Sequence, residues 1–349
     1  MRVIDSSGRS LGTAHYSSSS QVTLRMLSSR FENIDRGFLR ERFLTALRYR
    51  ERFVENTNAY RLIHAEGDRL PGLIVDRYAD WFSLQLLDQG MDRLSGEIAD
   101  VLTELFAPRG IVARNDAAVR LKENLPQNTT VLRGEAAARV AIEMNGLKWF
   151  ADLVEGQKTG VFLDQRENYL AVRKYARGRA LDCFTASGGF ALHLADRCES
   201  VEAVDSSAAA LETLAANTNE NHIENVIARK ANVLEYLPSL VNARRRFDLV
   251  VIDPPAFTKS RSALEGAERG YKEINLRALR LLEPGGILVS CSCSHHMSEA
   301  HLFEVIAAAA LDCGKQLRVL ERRTQSLDHP ILLTVPETHY LKCLIFEVV

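Results

Sequence analysis

The run Ser290-Cys291-Ser292-Cys293-Ser294-His295-His296 places two thiols and two imidazoles within seven residues. A thiolate is a strong nucleophile, and nearby positive charge or dipoles raise its share over the thiol. Such a sulfur can add to C6 of a cytosine or uracil ring. The neighbouring C5 then becomes an enamine-like carbon able to attack an electrophilic methyl group. This is covalent catalysis, in which a nucleophile divides one hard step into easier ones. The same residues admit two other readings. Thiolate and imidazole are zinc ligands, and cysteine is also a small, inert core residue. Upstream stands Val251-Ile252-Asp253-Pro254-Pro255-Ala256-Phe257. The prolines end a strand and stiffen the loop. An acid held there, Asp253, can hydrogen-bond the amino or imino edge of a base drawn out of its stack.

Three further segments share the pattern of a strand end followed by a polar residue. The first is Leu181-Asp182-Cys183-Phe184-Thr185-Ala186-Ser187-Gly188-Gly189-Phe190. Its glycines allow a tight turn and close backbone approach, and Asp182 suits a cationic or amino group. The spacing is not G-x-G-x-x-G, which disfavours a nicotinamide oxidoreductase. The second is Val204-Asp205-Ser206-Ser207, where an acid can accept both hydroxyls of a ribose. The third is Ala231-Asn232-Val233, with reach for an adenine edge. In an open parallel sheet, ligands bind at the carboxyl ends of strands. The three together indicate S-adenosylmethionine. Taken singly, Asp205, Ser206 or Ser207 would serve equally as a helix N-cap, and the glycines as an ordinary turn.

The elements that must carry these residues alternate after Gly156. Strands are predicted at Ala180–Asp182, Ser200–Val204, Val226–Lys230, Phe247–Ile252 and Ile287–Ser290, with helices near Phe190–Arg197, Ser207–Glu220, Ala263–Leu282 and Ser298–Leu311. Repeated βα units imply an α/β fold with a doubly wound parallel sheet. Gln316–Glu321 and Tyr340–Val349 read as two closing strands. Before this domain (156–349), residues 29–155 read as a helix and an α+β unit. Its strands are Tyr60–Ile63, Gly72–Asp76, Trp81–Leu86, Gly110–Asn115 and Val140–Met144, with a helix over Met91–Phe106. Residues 1–28 read as three short strands, too few for a free-standing core. Phe31, Ile34, Phe38, Leu39, Phe43, Leu47 and Phe53 recur at helical spacing, and Arg25–Arg52 carries eight arginines, either a solvated amphipathic helix or a stripe that meets phosphates.

Length and composition fit this plan. The chain has 349 residues, 46% apolar and 26% charged, which suits about two globular domains. Lys+Arg is 44 against Asp+Glu 45, so no wholly basic nucleic-acid coat is present. No stretch approaches the roughly 18 apolar residues of a membrane span, and Met1-Arg2-Val3-Ile4-Asp5 opens without an apolar signal core. Six cysteines without C-x-x-C spacing imply reduced thiols and a cytoplasmic location. Cys183, Cys198, Cys313 and Cys343 read as packing. Lys259, Arg261 and Arg244-Arg245-Arg246 are candidate phosphate contacts.

With these residues in place, the chain resembles the large-subunit 23S ribosomal RNA cytosine-C5 methyltransferases, class I S-adenosylmethionine-dependent enzymes. The likeness is carried by Glu66-Gly67-Asp68-Arg69-Leu70-Pro71-Gly72-Leu73-Ile74-Val75-Asp76-Arg77, by Gln157-Lys158-Thr159-Gly160-Val161-Phe162-Leu163-Asp164-Gln165-Arg166, by Asp253-Pro254-Pro255 and by Ser292-Cys293-Ser294. The resemblance implies a C-terminal Rossmann-like methyltransferase domain, preceded by an α+β RNA-binding-like domain and a truncated PUA-like β segment. It implies Cys293 as nucleophile, with Asp253 at the base. Lys158, Asp164, Arg166, Asp182, Phe184, Gly188, Asp205, Ser206, Asn232 and Asp253 would bind the cofactor, with no metal. It further implies ribosomal RNA as partner, no membrane, and a homodimer. The chain departs from the pattern in having Asn232 where such enzymes often have an acid, and no second cysteine in the proline loop. Two other activities fit part of the pattern: base N-methylation, which needs no cysteine, and RNA binding without catalysis.

Overall fold

The computed structural model describes residues 1–135, 137, 139–154, 161–257, 264–294 and 296–349. Contacts divide the chain into two compact units, Met1–Leu163 with Leu327–Thr338, and Asp164–Ser326 with His339–Val349. Against the expected boundary between residues 155 and 156, the first unit runs on to Leu163 and takes back a later segment. Among the described residues no helix is long and apolar enough to cross a membrane.

The first unit opens with an antiparallel sheet, β1 (Arg2–Ile4), β2 (Ser10–Tyr16) and β3 (Leu24–Ser28), in the order β1-β2-β3. The Ser17 hydroxyl accepts from the Ser19 and Ser20 amides, which curls the serine run into a turn. Helix α1 (Arg36–Phe53) begins where Asp35 caps the Phe38 amide at 3.0 Å. It buries Leu39, Phe43, Ala46 and Arg50. Its arginine stripe is partly committed within the chain, since Arg36 and Arg40 both pair with Glu104 at 2.8 Å.

Then follow β4 (Ala59–His64), β5 (Leu73–Tyr78), β6 (Trp81–Leu86), α2 (Gln89–Arg93), α3 (Ser95–Phe106), β7 (Gly110–Asn115), α4 (Val119–Lys122), β8 (Asn128–Gly134), β9 (Val140–Met144) and β10 (Leu147–Ala151). The helix expected over Met91–Phe106 is broken at Leu94 (φ −88°, ψ 9°). The sheet order is β4-β5-β6-β7-β8. Only β6–β7 is parallel, because α2 and α3 form the crossover between them. β9 and β10 form a hairpin through Asn145 and Gly146, both left-handed at φ 56° and 79°, the Asn-Gly turn that matches strand twist.

A buried network ties residues 327–338 to this unit. The Arg50 guanidinium, 1% exposed, grips the Asp68 carboxylate from two nitrogens and also donates to the carbonyls of Asp328 and Arg61. Arg61 grips Asp76 in the same way, and its amide donates to the Asp328 carboxylate at 2.9 Å. Burial pushes the His64 imidazole down to about 2, so it adds no charge at neutral pH. A buried ion pair that loses one partner leaves an uncompensated charge. Asp68→Ala is therefore expected to lower the unfolding free energy by about 3–5 kcal/mol in urea titrations. Glu104→Ala, whose ion pairs are solvated, is expected to leave the midpoint near wild type.

The second unit holds α5 (Arg166–Arg173), β11 (Arg179–Cys183), α6 (Gly189–Leu194), β12 (Ser200–Asp205), α7 (Ala208–Glu220), β13 (Val226–Lys230), α8 (Val233–Asn242), β14 (Phe247–Ile252), α9 (Leu264–Arg280), β15 (Leu282–Ser292), α10 (Glu299–Asp312), β16 (Leu317–Arg323) and β17 (Lys342–Val348). The sheet order is β13-β12-β11-β14-β15-β17-β16. The first five strands are parallel, and β17 runs antiparallel between β15 and β16. Successive strands step outward from β11 through β12 and β13, then restart at β14 on its other side. That is a topological switch point, and it opens a crevice at the carboxyl ends of β11 and β14. Leu181, Cys183, Val250, Ile252 and Leu288 fill the core beneath it.

Candidate active site

Asp182 stands on β11, one residue before the strand ends, and is 1% exposed. Its Oδ2 accepts from the Thr185 hydroxyl at 2.6 Å and the Ala191 amide at 3.0 Å. Its Oδ1 has no hydrogen-bond partner among the described residues. Burial pushes the Asp182 carboxyl up to about 7. The hydrogen bonds from Thr185 and Ala191 pull it back, and the Asp253 and Asp205 carboxylates add repulsion. A buried acceptor without a partner beside a switch point fits a cationic amino group.

The loop after β11 is bent by left-handed backbone at Phe184 (φ 62°), Ala186 (φ 48°) and Gly188 (φ 96°). Such conformations cost non-glycine residues roughly 1–3 kcal/mol and persist where surroundings fix them. At Gly188 a Cβ would lie 2.4 Å from Leu214 Cδ1. At Gly189 it would lie 2.3 Å from the Tyr169 ring, so glycine lets that buried ring close over the start of α6. Asp205 braces this loop. Its carboxylate accepts from the Ala186 amide at 3.0 Å and the Ser207 amide at 2.9 Å. Ser207 caps α7 through the Ala210 amide, while Ser206 is exposed and Phe184 half-buried. Asn232 is exposed. Its carbonyl caps α8 at the Leu234 amide, and its amide donates to Glu235.

Asp253 follows β14 and accepts from Gln165 Nε2 at 3.0 Å. Gln165 Oε1 in turn accepts from Asn168 at 2.6 Å. Asp164, 4% exposed, accepts from the Tyr340 hydroxyl at 2.7 Å. Arg166 opens α5 and is buried beside Glu167. Lys158, His295, Lys259 and Arg261 lie outside the described residues. Arg245 and Arg246 pair with Glu202 and Glu283.

The two thiols differ. Cys291 is fully buried opposite Cys343 across the β15–β17 ladder, and burial holds its thiol well above the usual range. Cys293 lies just past the end of β15 and is half-buried. Its neighbours are pinned. The Ser292 hydroxyl donates to Tyr271 Oη at 2.9 Å, which lies 3.1 Å from the Ser294 hydroxyl. Lys342 Nζ donates to the Ser294 carbonyl at 2.8 Å. Tyr271 belongs to α9, and its ring packs against Phe257 with centroids 4.9 Å apart. No group of three or more His, Cys, Asp or Glu with metal-holding geometry exists among the described residues.

One sheet edge thus gathers Asp182, Asp205, Asp253 and Cys293 at the ends of four strands. Sequence patterning missed Gln165, Asn168, Tyr169, Tyr271, Tyr340 and Lys342. Lys342 carried one visible signal, a charge opening the apolar strand Cys343-Leu344-Ile345-Phe346. A cavity of about 650 Å³ lined by Thr13, His15, Gln89 and Arg93 belongs to the other unit.

The raised Asp182 carboxyl makes stability depend on pH. Between its ordinary value of 3.8 and about 7, the folded state holds a proton that the unfolded state has lost. Its contribution is fully present below the lower value and is lost as pH rises through the higher one. Asp182→Asn is expected to flatten the fall in Tm between these limits in buffered melts of the ligand-free protein. An unchanged slope would place the titrating group elsewhere.

A family model described as S-adenosylmethionine-dependent methyltransferase matches residues 61–347. The chain is 40% identical over 344 residues to ribosomal RNA large subunit methyltransferase I of Vibrio parahaemolyticus, covering 96% of this chain and 87% of that protein. It is 38% identical over 356 residues to the protein of that name from Tolumonas auensis, covering 99% and 90%. A Streptococcus mutans structure described as a methyltransferase of this cofactor class superposes with TM-score 0.86 at 20% identity, covering 99% of this chain and 90% of that one. The strand order, the switch-point acids and these matches agree: the chain belongs to the S-adenosylmethionine-dependent methyltransferase family, in the group of the ribosomal RNA large subunit methyltransferase I proteins.

Proposed function

We propose that this protein methylates C5 of a cytosine in ribosomal RNA of the large subunit through a covalent adduct on Cys293. The observation that carries the reading is a half-buried thiol, fixed on both sides, at the same sheet edge as Asp182 and Asp253. S-adenosylmethionine, when bound, supplies an electrophilic methyl group. Asp182 would take its amino group, the Phe184–Gly188 loop its methionine moiety and Asp205 with Ser206 its ribose. Asn232 would meet the adenine, and Asp164 and Arg166, with Lys158 as the resemblance implies, would complete the cofactor site. The ribosomal substrate is proposed from the names of the relatives.

The chemistry then follows the side chains. Asp253, braced by Gln165, holds the polar edge of a flipped cytosine. The Cys293 thiolate forms an Sγ–C6 bond and pushes electron density onto C5. Once C5 carries the methyl group, its proton leaves to a base. The electrons of the C5–H bond restore the ring and break the Sγ–C6 bond, which returns the thiolate. Strands β1–β3 are read as the PUA-like segment, and reduced thiols go with a cytoplasmic setting.

Cys293→Ala is expected to reduce methyl transfer to RNA at least about a thousandfold, as loss of a covalent nucleophile does. Calorimetry of S-adenosylmethionine binding should stay near wild type. Retained turnover would favour base N-methylation, with Asp253-Pro254-Pro255 and Phe257 holding a ring nitrogen. Nucleoside mass spectrometry of host RNA with and without the gene reads the product directly. Asp205→Ala is expected to weaken cofactor binding about tenfold, or about 1.4 kcal/mol, while circular dichroism shows a folded chain. Equal affinity would make Asp205 a brace for the loop alone.

A further inference from the structure

We infer that Lys342 is a positioning residue that favours the thiolate form of Cys293, acting as a buried ammonium set across the ladder from the reactive segment. The inference rests on reading Cys293 as the nucleophile. Lys342 is the first residue of β17 and faces Ser292 in the antiparallel register with β15. It is 3% exposed, so its charge has left water almost completely. Its Nζ donates to the carbonyls of Ser294 at 2.8 Å and Tyr340 at 2.9 Å. The first acceptor is the residue after Cys293, and the ladder partner is the residue before it. Lys342 is therefore tied to the segment on both sides of the cysteine, its backbone opposite Ser292 and its ammonium on the Ser294 carbonyl.

Two carbonyls satisfy two of its three N–H donors, but they carry no net charge. A buried cation with only dipoles for company is costly, and no carboxylate pairs with Lys342 among the described residues. An anion at Cys293 would offset that cost. The other groups around the pair do not replace it. Glu299 on α10 contributes less than Cys293 and pairs with Arg322 of β16. Arg323 of β16 is taken by Glu321 and Asn168. Tyr271 of α9 is engaged with the two serines, and burial pushes its hydroxyl up to about 12. The Asp253 carboxylate, like Cys293, raises the cost of ionising Tyr271, and Cys291 and Cys343 are buried opposite each other. Burial pulls Lys342 down to about 8, and Cys293 is the first group that pushes it back up. Such coupling is mutual, so the ammonium lowers the thiol as the sulfur raises the ammonium. On ionisation the thiol proton passes to water, and Lys342 keeps its own.

The test is the pH dependence of Cys293 alkylation by iodoacetamide in the full chain, followed at peptide level by mass spectrometry. It needs neither RNA nor a methyl donor. Lys342→Met should raise the alkylation midpoint by about one to two pH units, the usual effect of losing an adjacent opposite charge. Lys342→Arg should restore most of that shift. An unmoved midpoint in folded Lys342→Met, or an equal shift in both variants, overturns the inference. Should Lys342→Met fail to fold, NMR titration of an isotopically labelled Lys342 side chain in wild type and Cys293→Ala decides. Loss of the sulfur should lower the lysine midpoint, and an unchanged midpoint overturns the coupling. If Cys293→Ala retains turnover, the cytosine-C5 reading falls, while the lysine–thiol coupling still stands or falls on the alkylation profile.

Discussion

Two carboxylates meet where the sheet changes direction, and most of the site answers to that constraint. Asp182 ends the climb of β11 and Asp253 follows β14, its neighbour in the sheet. Burial raises the cost of ionising Asp182, and the Asp253 carboxylate adds to it. The surroundings hold the acids apart in role. Asp182 receives a hydroxyl and an amide on one oxygen and keeps the other without a partner. Asp253 receives the Gln165 amide, an uncharged donor that fixes its direction without neutralising it. A cationic ligand at Asp182 would offset the repulsion that the Asp253 carboxylate adds there.

The thiol side is built on an opposite principle. The residues on either side of Cys293 are held by the Tyr271 hydroxyl and the Lys342 ammonium. The strand-end serines are not decoration of a nucleophile motif. They lock onto Tyr271 and fix the backbone on both sides of the sulfur. Acids at β11, β12 and β14 and a cation at β17 split one sheet edge into a negative half and a positive half. On the proposed reading, a positively charged methyl donor would sit on the first and a sulfur anion on the second.

The sheet was legible because its buried parallel strands are short apolar runs closed by polar residues, as at Asp182, Asp205 and Asp253. The helix α8 was not, because Pro238 lies inside it and reads as a break. Nor was α5, whose buried face includes Arg166 and Asn168 and so shows little apolar period. The strand ends located the acids and Cys293, while the partners that orient them came from elsewhere in the chain. Gln165 and Tyr271 reach the site only through tertiary folding, and no local spacing encodes that. Asn232 shows the converse: a polar residue at a strand end that caps the next helix.

The segment between β16 and β17 explains why the domain boundary was hard to place. Residues 327–338 belong to the first unit, held there by Arg50, Arg61 and the Asp328 carboxylate. The motif Glu66–Arg77 supplies the two acids, Asp68 and Asp76, that neutralise those arginines. Its fixed spacing is therefore accounted for by architecture. Both guanidiniums are nearly dry, and each needs a carboxylate in bidentate geometry, a demand that one short turn and one strand meet together. A motif that carries the family resemblance is here the counter-charge for two buried arginines of the first unit.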